Sequence, residues 1–207
     1  TQAEQGGMAL ANSVQADGAL QGSAVQVVGN QGSARGAGRD GLANSVRAQG
    51  RGRVAGSNVT VTANQGNAQQ GVANSVDVAG TLQGGSITIL GNQGSARDGG
   101  TVNSVVGNGR ISGSQITIVG NTGSAHAGLA NSVRADGNVT ASNITILGNQ
   151  ASAQGDGSKV NSVSGSGSIR GSQILIAGNT GRASGGGLVN GVHNRGTLAG
   201  AQVVITG

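Results

Sequence analysis

Residues 86–96 read Ser-Ile-Thr-Ile-Leu-Gly-Asn-Gln-Gly-Ser-Ala, and near copies of this stretch recur along the chain. They are AVQVVGNQGSA at 24–34, NVTVTANQGNA at 58–68, QITIVGNTGSA at 115–125, NITILGNQASA at 143–153 and QILIAGNTGRA at 173–183. Within the stretch Ile87 and Ile89 alternate with Thr88, a period of two that marks a strand with one face turned inward. A second marker keeps the same phase. The Asn of NSV falls at Asn12, Asn44, Asn74, Asn103, Asn131 and Asn161, and the Asn of NGV at Asn190. Seven imperfect units of about thirty residues therefore fill residues 1–207 as a single domain.

Aligning the units exposes aliphatic columns. Val14, Val46, Val76, Val105, Val133, Val163 and Val192 form one; Leu20, Val54, Leu82, Ile111, Val139, Ile169 and Leu198 form another. The alternating strand contributes two more, one running from Val25 to Val203 and one from Val27 to Ile205. β-Branched residues and Leu suit a pleated, half-buried surface. Gly and Asn in ADG, QGRG and GNQG tolerate the backbone of tight corners. Each unit thus reads as one coil, and stacked coils place every strand beside its counterparts about 4.8 Å away. The expected fold is all-β, a parallel β-solenoid (β-helix) of seven coils with an aliphatic core, roughly 34 Å long. A lone coil cannot offset its ordering entropy, so each copy serves as the template for the next.

The composition narrows the function. Of 207 residues 43 are Gly and 9% are charged, while Phe, Tyr, Trp, Cys and Pro are absent. Without Cys there are neither disulfides nor thiolate metal sites. No apolar run approaches a membrane-spanning helix. Acidic residues are sparse, and His126 and His193 occupy non-equivalent places expected to be loops. Asp17 and Asp136 share the ADG turn but in coils that are not adjacent, which disfavours a paired-carboxylate site. The run at 36–41 matches G-x-G-x-x-G but precedes a strand, so the dinucleotide reading fails its context. No catalytic residue, cofactor or metal site is expected, and the chain reads as a non-enzyme.

Two Asn columns are expected to be structural ladders of stacked amides. One is the NSV column; the other is Asn30, Asn64, Asn92, Asn121, Asn149 and Asn179. The column Ala34, Ala68, Ala96, Ala125, Ala153 and Ala183 is expected to pack beside the second ladder. Val28, Leu90, Val119 and Leu147 lie one step beyond the Thr column (Thr60, Thr88, Thr117, Thr145) and read as a lateral contact surface. The Thr row also fits an ice-binding face, although Gln26, Leu175 and Val204 interrupt it.

The ends suggest assembly. The chain stops at Val203, Val204, Ile205, Thr206 and Gly207, where other units continue into GN-x-GSA, and it begins with Thr1, Gln2 and Ala3. From Gly207 to the next molecule's Asn12 is 12 steps, within the internal range of 11–15 read off the repeats. The expectation is that residues 1–9 complete a coil with the preceding subunit and that an open head-to-tail filament results. The net charge of +5, spread over Arg-bearing loops, admits an anionic polysaccharide or extracellular DNA as a further partner.

The repeat GTLQGGSITILGNQGSA and the segment VHNRGTLAGAQVVITG resemble filamentous-haemagglutinin-type adhesin repeats. The GNQGSA and NSV elements, with their Asn ladders, also resemble curlin and Fap-like functional amyloid subunits. These resemblances imply an extracellular or bacterial cell-surface β-solenoid that serves biofilm matrix, adhesion or cell cohesion. A subunit of a secreted self-assembling fibre is the reading favoured; a solenoid segment of a surface adhesin or an ice-binding protein is the alternative.

Overall fold

The computed structural model describes residues 2–3, 10–35, 41–50 and 52–207. Thr1, most of the 1–9 segment and all but the last Gly of the 36–41 run lie outside them. The described chain is a parallel β-solenoid without a helix, built from five seven-stranded sheets. Each circuit visits the sheets in the same order, as in Val72–Ala73, Val76–Val78, Leu82–Gln83, Ser86–Leu90 and Gln93–Arg97. From Gln2–Ala3 to Thr180–Ala183 the chain completes six circuits, and four more strands carry it through most of a seventh.

Register follows the sequence columns. Thr60, Thr88, Thr117 and Thr145 are successive partners, flanked by the Val59–Ile87–Ile116–Ile144 and Val61–Ile89–Ile118–Ile146 rows. Those two rows point inward. With Val54, Leu82, Ile111, Val139 and Ile169 on one side and Val46, Val76, Val105, Val133 and Val163 on the other, they fill the larger core, essentially closed to solvent. At about 1.5–3 kcal/mol per fully buried aliphatic side chain, this continuous column stands in for absent aromatics.

A second, narrower core holds the Ala column. Ala34, Ala68, Ala96, Ala125 and Ala153 pack against Ala43, Ala73, Val102, Ala130 and Val160, the residues that precede each NSV Asn.

The corners fall where the sequence puts them, but their glycines serve two different ends. Left-handed backbone is adopted by the NSV Asn (φ 46–51°), by the Gly22–Gly56–Gly84–Gly113 column and by the Gly29–Gly91–Gly120 column. The ADG glycines are not left-handed. Gly137 is small because a Cβ there would lie 2.6 Å from the Gly109 carbonyl of the neighbouring coil. Nor is the second Gly of GNQG a corner: Gly94 lies within a strand, and a Cβ on it would meet Val102 and the Asn74 amide.

Candidate functional site

The two Asn columns form continuous ladders in the interior. In the first, each side-chain Nδ2 donates to the next coil's Oδ1, as from Asn74 to Asn103 (3.1 Å) and from Asn103 to Asn131 (3.0 Å). It also donates to the backbone oxygen of its own circuit's GN-x-G strand, Gln93 in the case of Asn74. In the second, Asn121 Nδ2 donates to Asn149 Oδ1 (3.0 Å) and to the Ile89 carbonyl (2.9 Å), while Asn121 Oδ1 accepts from the Asn92 backbone amide (2.9 Å). The ladders touch: Asn131 Nδ2 donates to the Asn121 carbonyl and Asn190 Nδ2 to the Asn179 carbonyl. Together they make a polar wall between the two apolar cores, and their inner members are almost wholly buried.

Two Ser ladders accompany them, and the sequence reading missed both. The NSV serines Ser45, Ser75, Ser104 and Ser132 each accept the next coil's Ser backbone amide and donate to the carbonyl two residues back. The second ladder links Ser23 to Ser57 and Ser114 through Ser142 to Ser172. It breaks in the third coil, where Gly85 stands in its place. The signal was visible as a fixed Ser after each NSV Asn, but a hydroxyl column is easily read as mere turn composition.

Asn194 departs from this order. It occupies an inward column otherwise filled by Ala16, Ala48, Val78, Gly107, Ala135 and Gly165. Neither atom of its buried amide group finds a hydrogen-bond partner among the described residues. Asn194→Ala is therefore expected to stabilise the last coil by about 1–3 kcal/mol, the cost of an unmatched buried polar group. The check is the urea midpoint, which should rise at unchanged slope.

The end faces expose what the interior hides. Leu198 is 52% and Ile205 49% accessible, against 0–1% for the inner members of the same rows. Val203, Val204 and, at the other end, Val14 are also exposed. Gln2 and Ala3 pair in parallel with Ser33 and Ala34 and so add a strand to their sheet. Thr206 pairs with Ala177. On the outer face Val28, Leu90 and Leu147 are exposed and Val119 is half-buried, in register with one another from Leu90 to Leu147.

The chemistry-bearing side chains converge elsewhere. The middle residues of the three-residue strands form the outward row Gln15, Arg47, Asp77, Val106, Arg134, Ser164 and His193. This row is one wall of a groove; the connections that follow the GN-x-GSA strands make the other. The groove holds cavities of about 510 and 420 Å³ that share Arg134, Gly157 and Lys159. Arg47 Nε donates to Asp77 Oδ2 across neighbouring coils (3.1 Å), and Arg134 grips Asp136 with two hydrogen bonds (2.9 and 2.8 Å). Burial, then the Arg134 charge, holds the Lys159 ammonium below its ordinary value; Asp136 opposes this and Arg195 adds to it.

His126 and His193 are strand residues rather than loop residues, on different sheets. Among the described residues no three His, Cys, Asp or Glu side chains gather as a metal site. No protein-family model, curated protein or solved structure matches this chain.

Proposed function

We propose that the chain is a structural subunit of a secreted bacterial fibre, assembled head to tail by stacking coil on coil, and that it serves biofilm matrix, adhesion or cell cohesion without catalysis. One observation supports this reading: successive coils repeat one strand pattern. The same five strands meet in the same parallel register at each step. The face bearing Leu198, Val203 and Ile205 therefore has the shape of an inner coil's upper face. At the opposite end the same rows carry Leu20 and Val25, both half-buried, while Val27 is already closed to solvent. A second copy fits the first as one coil fits the next, with new ladder bonds and a buried aliphatic row. An adhesin segment would satisfy the same faces with further coils of its own.

Sedimentation and negative-stain microscopy across a concentration series test the reading. Unbranched filaments with a meridional 4.8 Å reflection are expected. Ile205→Glu should slow elongation at least about tenfold, because stacking would bury an unpaired carboxylate. A protein that stays monomeric at high concentration, or an Ile205→Glu variant that elongates like the parent, would sink it.

A further inference from the structure

The C-terminal half of the groove gathers charge of one sign. Arg134, Lys159 and Arg195 come from three successive circuits, each about 5 Å from the next along the axis. Asp136 is the one acidic residue lining that cavity, and Arg134 already engages it. Burial first, and the Arg134 and Arg195 charges after it, hold the Lys159 ammonium below its ordinary value.

A second observation is independent of charge. Ser164 lines the same cavity and is 2% accessible, yet its Oγ has no hydrogen-bond partner among the described residues. A buried hydroxyl left unmatched costs about 1–3 kcal/mol, which an incoming oxygen would remove. Ser158, Ser166, Leu188, His193 and glycine backbone complete the lining. The walls thus combine serine hydroxyls and cationic side chains with an apolar patch at Leu188.

We propose that this groove binds an acidic polysaccharide laid along the solenoid axis, with Lys159 and Arg195 on its carboxylates and Ser164 on a ligand oxygen. A linear polyanion meets a fresh coil at each step, so its charges find cations at the coil spacing. Hydroxyl-rich rings suit a wall of serines and backbone groups. Single-stranded nucleic acid fits less well, because its sequence-tolerant binding draws on aromatic platforms and the chain has no Phe, Tyr or Trp. The inference extends beyond fibre assembly and does not require it.

The test uses the soluble full chain, below any concentration at which it assembles, and fluorescence anisotropy of labelled oligogalacturonate at physiological ionic strength. Binding is expected, with neutral dextran inert. The double variant Lys159→Gln/Arg195→Gln should weaken it at least about tenfold, through loss of two charge-assisted contacts. Arg110→Gln/Arg170→Gln removes the same charge from residues lining neither cavity. It should change affinity less than about twofold, because exposed charges beyond a Debye length are screened. Ser164→Ala should cost about threefold to tenfold, the worth of one hydrogen bond, with no loss of thermal stability. A sulfated dextran that competes through the same residues would support the site as one for anionic glycans.

Three outcomes overturn the proposal. They are no binding of oligogalacturonate, equal losses from the two double variants, and tighter binding of a single-stranded DNA oligomer through the same residues.

Discussion

Asn121→Leu is expected to destabilise the solenoid by about 2–5 kcal/mol, although it replaces a polar residue by an apolar one of similar size in a closed interior. The reason is the number of groups left unmatched. The Asn92 backbone amide loses its acceptor, the Ile89 carbonyl loses a donor, and Asn149 Oδ1 loses the side-chain half of its pair. Each buried orphan costs about 1–3 kcal/mol, and the extra apolar contact of Leu recovers part of the sum. Urea denaturation gives the total, and hydrogen exchange localises it. The Asn92 amide should lose protection at least about tenfold, one decade per 1.4 kcal/mol of local opening. Asn30→Leu, at the half-buried start of the ladder, should cost less than about 1 kcal/mol, since only the inner members are sealed from water. Equal effects at Asn30 and Asn121 would show that the ladder adds nothing beyond turn propensity.

The second large effect separates two glycines of one motif. Gly94→Val should destabilise by about 3 kcal/mol or more, whereas Gly91→Ala should cost only about 1 kcal/mol. Gly91 is left-handed (φ 62°) with open space around it, and Ala63 already occupies the same place in another coil at φ 54°. Gly94 has ordinary backbone but no room. A Cβ would stand 2.5 Å from a Val102 methyl and 2.9 Å from Asn74 Nδ2. The fifth coil accepts one methyl there, as Ala151. A branched side chain would have to displace Asn74 and cut its bond to Asn103. Thermal melts of the two variants read the difference directly, and a Gly94→Val protein as stable as Gly91→Ala would refute the close-packed ladder.

Repetition made the solenoid legible. Seven copies of an alternating segment, Ile-Thr-Ile in three of them, leave few ways to bury their inward rows, and parallel stacking in register is the one that repeats without change. Hence the aliphatic columns, the Thr row and both Asn ladders could be read from spacing alone. The same reasoning placed the corners but misassigned some of their glycines, because Gly serves two ends that look identical in one dimension. Gly91 supplies a positive φ, while Gly94 and Gly137 supply the missing volume where a neighbour comes close. The Ser ladders escaped for a related reason. Hydroxyl columns become ladders only when stacking brings each one within reach of the next coil's amide.

The sequence alone therefore determined the coil, its period, the inward and outward sides of its strands, and the fact that one coil templates another. Tertiary structure decided which columns share a compartment. It set the Ala column against the residue before each NSV Asn and drew the two ladders into one wall. It also brought Arg134, Lys159, Ser164 and Arg195 to a single groove although they lie up to two repeats apart. The physical reason is that side-chain alternation is local and written in neighbouring residues. The angle at which five short strands close a circuit arises from all the corners together.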